Sequence, residues 1–228
     1  MKNIILLSAL ALTISMTTSC KKAAGDKAEV TEAAPAPVAQ PRANLLPVDI
    51  NGSIINWEGA KPTGKHNGTI RLSGGQVYMD GGTISGGSFT LDMNSITNLD
   101  LSGDSKTNLE NHLKGFADGK EDHFFNVAKY PTGTFEITKV TKISGDESST
   151  HLIYGNLTLK GITKQVGFRA LVGVGSNRVE VTVPPFTIDR TLWGVNYNSK
   201  TVFEGLGNKY VNDEIGLSMT LKAGTSVI

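Results

Sequence analysis

The chain reads as an all-β protein of about eight antiparallel strands with one short helix, closed as a barrel or stacked as a two-sheet sandwich. Three observations predict this. Apolar residues recur at every second position over most of residues 48–223, glycine-rich turn signals separate these runs, and one segment alone changes to helical spacing.

The period of two is clearest near the end of the chain. Ile215, Leu217, Met219 and Leu221 alternate with Gly216, Ser218 and Thr220, and Val179, Val181 and Val183 alternate with Glu180 and Thr182. Phe89, Leu91 and Met93, then Phe135 and Ile137, then Phe168, Ala170 and Val172 follow the same rule, and Ile70 and Leu72 flank Arg71. Such alternation marks strands with one buried and one solvated face, the pattern of antiparallel sheets. "SGG" at 73–75, "DGG" at 80–82, "SGD" at 144–146 and "GSN" at 175–177 read as turns, and Lys160–Gly161 as the tip of a hairpin. On this reading Leu157, Leu159 and Phe168 point inward while Thr158 and Lys160 face water. The exception is "SGDSKTNLENHLKG" at 102–115, where Leu109 and Leu113 stand four apart. Asp104 or Ser105 is available as an N-cap and Gly115 as a stop, so a short helix is expected between strands. Eight strands suffice to close a barrel around one small ligand; the pattern by itself equally admits a two-sheet sandwich.

The first forty-odd residues are of another kind. Lys2 followed by the apolar run Ile4–Met16 is too short for a typical membrane span and has the layout of an export signal, assigned to residues 1–19. Small residues lead to the sole cysteine, Cys20. This stretch resembles the lipobox of bacterial lipoproteins, with Thr17 where leucine is usual, and the resemblance makes Cys20 the lipidated first residue of the mature chain. Lys21 and Lys22 after it, rather than aspartate, point to an outer-membrane anchor facing the periplasm. Residues 20–46, with "EAAPAPVAQPRA" at their centre, read as a disordered tether because they hold too little apolar surface to offset ordering entropy. The remainder, 47–224, reads as one soluble domain. With a net charge of +1 there is no field to attract nucleic acid.

Several phrases in that domain resemble one family. "EDHFFNVAKYPTGTFEIT" is similar to its D-x-F-F-D-V-x-x-Y-P-x-x-x-F motif, with Asn126 at the usual aspartate. "GNLTLKGITKQV" is similar to G-x-L-T-[IL]-x-G-[VI]-T-[KR]-x-V. "DRTLWGV" resembles R-x-x-F-G-[IVM] with Trp193 for phenylalanine, "VNDEIGLSMTLKA" resembles the last strand, and "VDINGSIINWEGAKPTGKHNGTI" the first hairpin. The family is the YceI-like proteins, and the resemblance implies a lipocalin-like barrel in the bacterial envelope that binds polyisoprenoids, quinone-like molecules or other long-chain lipids. It also admits a homodimer.

If the barrel is a tube for a lipid tail, alternation nominates Trp57, Phe89, Leu91, Met93, Phe135, Ile137, Leu157, Leu159, Phe168 and Phe186 as its lining. Met93 and Met219 suit a pocket that adapts to flexible tails. Arg190, His66 and Trp193 are candidates to meet a head group at the mouth, with Arg190 paired to Asp189 or Glu204 as a purely structural alternative. Phe124 and Phe125 would close one end. No catalytic constellation is expected: the chain has no G-x-S-x-G elbow, P-loop or H-E-x-x-H. His112 and His123 lie eleven apart, a poor spacing for zinc, so neither a metal nor a cofactor is expected. The competing expectation is a tethered interaction or stress-response scaffold whose barrel is filled by its own side chains.

Overall fold

The computed structural model describes residues 22–38, 44–145 and 147–224. Its centre is a ring of eight antiparallel strands: β4 (Ile54–Lys61), β5 (Gly64–Asp80), β6 (Thr83–Asn98), β7 (Thr132–Lys142), β8 (His151–Leu159), β9 (Ile162–Val174), β10 (Arg178–Asp189) and β11 (Glu214–Gly224). Each pairs with its successor, and β11 returns to β4 with Leu217 opposite Trp57 and Met219 opposite Ile55, which closes the sheet and removes its edges. Three short strands precede the ring: β1 (Asp26–Lys27), β2 (Glu29–Glu32) and β3 (Asn44–Pro47), the last paired to β5. The alternating residues face inward as their period requires, and Phe89, Leu91, Met93, Phe135, Val181 and Leu221 are all buried.

Strand direction divides the barrel into two ends. The β4–β5, β6–β7, β8–β9 and β10–β11 connections share one end, and the β5–β6, β7–β8 and β9–β10 turns share the other. The first end carries the longer connections, including helix α1 (Gly103–Lys114) and the single-turn 3-10 helix Arg190–Trp193. Helix α1 begins two or three residues earlier than expected. Ser102 is its N-cap, and Asp104 falls in the first turn, where a negative charge complements the helix N-terminus. Gly115 ends it in a left-handed conformation (φ 78°), the backbone N–H groups of Gly115 and Phe116 returning to the carbonyls of His112 and Asn111.

Two expectations from the sequence give way here. "SGG" at 73–75 is not a turn but a bulge within the 17-residue strand β5, where the register against β6 slips between Leu72 and Gly74. Gly75, at φ 149°, comes so near the partner strand that a Cβ would lie 2.5 Å from the Ser88 carbonyl oxygen. The tether reading of residues 20–46 also fails over 26–32. β9 and β10 pair directly only from Leu171 to Val174 and Val179 to Thr182; nearer the first end they part. There β1 lies parallel on β10 (Asp26 opposite Phe186) and β2 antiparallel on β9 (Val30 opposite Val166). Residues 26–32 therefore bridge the seam, with Ala28 and Val30 packed on the core. Composition misleads because strand addition is carried by main-chain hydrogen bonds, which need few apolar side chains. The signal segment and Cys20 lie outside the described residues.

Candidate functional site

Inside the ring is an apolar cavity of about 630 Å³ that reaches the first end, the mouth. That volume falls within the range of small-molecule sites, roughly 300–1,000 Å³. The opposite half is solid: Val77, Ile84, Ile137, Ile153, Val181 and Leu221 pack there around a residual void of about 10 Å³. Between the two halves runs a chain of rings. Phe89 stacks on Phe135 at 5.2 Å, Phe135 meets Phe168 at 5.5 Å, and Phe168 stacks on Phe186 at 5.0 Å. Phe89, Phe135 and Phe168 touch both the cavity and the packed half, so this aromatic run is the cavity floor.

Of the lining expected from alternation, Trp57, Phe89, Leu91, Met93, Phe135, Leu157, Leu159, Phe168 and Phe186 all border the cavity, as does Met219. Two nominated residues do not. Ile137 has the right inward direction but lies below the floor, because alternation fixes the face of a strand and not the height along the barrel. Trp193 is fully buried off the cavity, its indole N–H donating to the Leu157 carbonyl at 2.9 Å. It sits in a 3-10 turn, where strand periodicity has no meaning.

Arg190 touches the cavity wall, yet its donors are committed elsewhere. Nε donates to the Asn212 carbonyl (3.0 Å), Nη1 to that of Val195, and Nη2 to those of Tyr197 (2.9 Å) and Val211 (3.0 Å). Asp213 stands 3.7 Å from Nη2, and neither Asp189 nor Glu204 fills the partner role; Asp189 instead accepts from Thr191. Burial pushes the guanidinium below its ordinary range, opposed by the charges of Asp213 and Asp189. An arginine remains charged under such conditions. Arg190 is thus the staple of the 190–213 connection rather than a head-group ligand. Lys160 is a similar case: expected in water, it donates to the carbonyls of Asp122 and Gly194 (3.3 Å each) and ties the mouth connections together.

Other polar side chains border the cavity at the mouth, among them Glu58, Lys61, Asn198, Asn208 and Lys209. His66 borders the cavity and its Nδ1 lies 2.8 Å from Asp100 Oδ2. Burial would raise the Asp100 carboxyl, but hydrogen bonds from the Asn67 backbone, His66 and Asn98, with the His66 charge, hold it below the ordinary value. The larger feature joins two histidines that the helix and its following loop can bring together with a tyrosine that sequence reasoning missed. His112 of α1 and His123 of the following connection meet directly, Nε2 to Nδ1 at 2.8 Å, and Tyr197 stacks on His123 with ring centroids 4.4 Å apart. Phe124 meets His112 edge-on at 5.1 Å. His112, Phe124, Phe125 and Tyr197 border the cavity, so the two phenylalanines line its mouth end. Among the described residues, no three His, Cys, Asp or Glu side chains are grouped to hold a metal. Burial, then the charges of His123 and Lys120, holds His112 below its ordinary value. The signal was present in the paired helix and "EDHFF" positions, but Tyr197 comes from a connection over seventy residues on, beyond any local pattern.

A family model described as the YceI-like domain matches residues 47–223. A UPF0312 protein of Pseudomonas aeruginosa is 44% identical over 68 residues, 29% of this chain and 34% of the relative. One of Yersinia pestis is 37% identical over 100 residues, 40% of this chain and 47% of the relative. The aligned stretches thus span a third to a half of those relatives. Among solved structures, Burkholderia cenocepacia BcnA superposes with a TM-score of 0.58 at 20% identity, covering 77% of this chain and 99% of its own. A polyisoprenoid binding domain from Saccharophagus degradans, implicated in plant cell wall breakdown, superposes with a TM-score of 0.54 at 14% identity, covering 81% and 100%. At these identities the structural likeness bears on the fold.

Proposed function

The chain belongs to the YceI-like domain family, and from that premise we propose that it binds a long apolar tail, of the isoprenoid or acyl class, without catalysis. The observation that carries this reading is the cavity of about 630 Å³, floored by phenylalanines and open at one end. A barrel filled by its own side chains does not describe that interior. Each methylene transferred from water contributes roughly 0.8 kcal/mol, so ten or so carbons offset the ordering cost of a flexible guest. The polyisoprenoid-binding relative of the same fold favours an isoprenoid guest. A carrier or shield for such a molecule in the bacterial envelope, held to a membrane through a lipidated Cys20, is consistent with the signal-like first twenty residues.

Native mass spectrometry of the protein purified from a lipid-rich host tests the binding. A stoichiometric apolar mass that leaves on denaturation is the expected result, and a clean unliganded mass would overturn the proposal. Incorporation of labelled palmitate, lost in Cys20→Ala, tests the anchor.

A further inference from the structure

Large apolar side chains stand in solvent around the mouth. Leu99 follows β6 and is 59% exposed; Phe116 follows α1 and is 49% exposed; Val202 and Phe203, on the 199–206 connection, are 47% and 48% exposed. These connections are joined beneath the surface by the His112–His123–Tyr197 cluster, which itself borders the cavity. Both exposed phenylalanines of the described residues are at this end, while the opposite end shows only aliphatic side chains such as Ile50 and Val174. An apolar rim of this kind marks an interaction surface.

A second observation says what covers it. The chain reaches the barrel at the same end. The Ala24 N–H donates to Glu58 Oε1 at 3.1 Å, Lys27 Nζ lies 3.6 Å from Glu214, and Ala23 sits over Gly216. Glu214 is the first residue of β11 at the mouth, and Glu58 borders the cavity near the tip of the first hairpin. Cys20 is two residues before Lys22, a span of at most about 7 Å of extended chain. With a lipid on Cys20, as proposed above, holding Ala23–Glu32 against the barrel would bring the anchor to this side, where a free linker would have left the barrel's orientation open.

The geometry points to a membrane-docking rim: Leu99, Phe116, Val202 and Phe203 insert into the lipid interface, with the mouth facing the bilayer, so that a tail passes between membrane and cavity without crossing water. The choice of a bilayer as partner rests on the tail-binding reading of the cavity. Lys65, Lys106 and Lys160 near the rim are paired with Glu58, Glu110 and Asp122. Lys61 and Lys209, which border the cavity, and Lys200, beside Val202 on the same connection, add cations there, so insertion would be apolar with a basic component.

The test places an indole at each end of the full chain and adds vesicles of brominated phosphatidylcholine, whose bromines quench only fluorophores within the bilayer. Phe203→Trp and Phe116→Trp should lose most of their added emission and shift it to the blue, while Val174→Trp keeps its own; Trp57 and Trp193 supply a common background. Quenching at neither end, or equally at both, would overturn the proposal. So would a blue shift that depends on protein concentration and not on vesicles, which assigns the rim to a second copy of the chain. In the doubly substituted Phe116→Ser/Phe203→Ser protein, apolar guest transfer between vesicles should slow by about tenfold or more, the scale of losing one large apolar side chain from lipid. Guest mass in native spectra should stay unchanged in that variant. A loss of guest mass in the unsubstituted protein speaks against the cavity reading alone and leaves the quenching result to judge the rim.

Discussion

The ring of Phe135 lies across the backbone of Gly155 on the neighbouring strand, so close that a Cβ there would meet Cζ at 2.1 Å. The floor of the cavity is therefore seated on a position with no side chain, and the ring shields the exposed glycine backbone in return. Gly155→Ala forces Phe135 upward into the cavity. The expected loss of stability is about 1–3 kcal/mol, as for overpacking generally, measured by urea unfolding. Guest occupancy in native spectra should fall with it.

The two sides of the floor should respond oppositely. Leu159→Arg places a cation on the cavity wall and is expected to abolish retention of an apolar guest. Ile137→Ala, below the floor, should cost about 2–5 kcal/mol in stability yet leave occupancy of the remaining folded protein near that of the unsubstituted chain. Retention at full occupancy in Leu159→Arg would remove Leu159 from the site.

Arg190→Ala strips four carbonyls of their donor and leaves Asp213 buried without its counter-charge. A destabilisation of about 3–5 kcal/mol is expected. Arg190→Lys should recover little of it, since one ammonium cannot match the planar fork that reaches four oxygens. Thermal melts of the three proteins check this.

The His112–His123 contact sets a dependence on pH. In a hydrogen bond between two imidazoles, one nitrogen donates and the other must be bare, so the doubly protonated pair cannot form it. His112 is held below its ordinary value by burial and by the charges of His123 and Lys120, while Tyr197 and Phe124 present uncharged rings. On acidification the unfolded chain takes up the proton first. The stabilisation is thus complete above the unfolded value of roughly 6.5 and is lost as pH falls below it toward the folded value. The melting temperature should drop between about pH 7 and pH 5, and His112→Asn should flatten that slope.

How far the chain itself displays this design depends on which physical signal each part uses. The ring strands are legible because half-buried strands must alternate, and Phe89, Phe135, Leu157 and Phe168 were found that way. Helix α1 is legible from its spacing and from Gly115. Alternation carries no information about height, so Ile137 was grouped with residues a floor above it. Trp193 and Arg190 matched a motif but serve the 190–213 connection, and nothing in their neighbourhood distinguishes a staple from a ligand. The histidine cluster needs Tyr197 brought from far along the chain, and the strap of residues 26–32 relies on main-chain pairing, which composition does not record.

That strap bears on how the molecule is made. A chain delivered N-terminus first presents Asp26–Glu32 long before Lys164–Gly167 and Phe186–Thr187 exist to receive them. Until the final hairpins emerge, β9 has an unpaired edge and the early segment has no berth. A chain interrupted during synthesis is consequently slit along one side, and only one that has been released whole can close its wall.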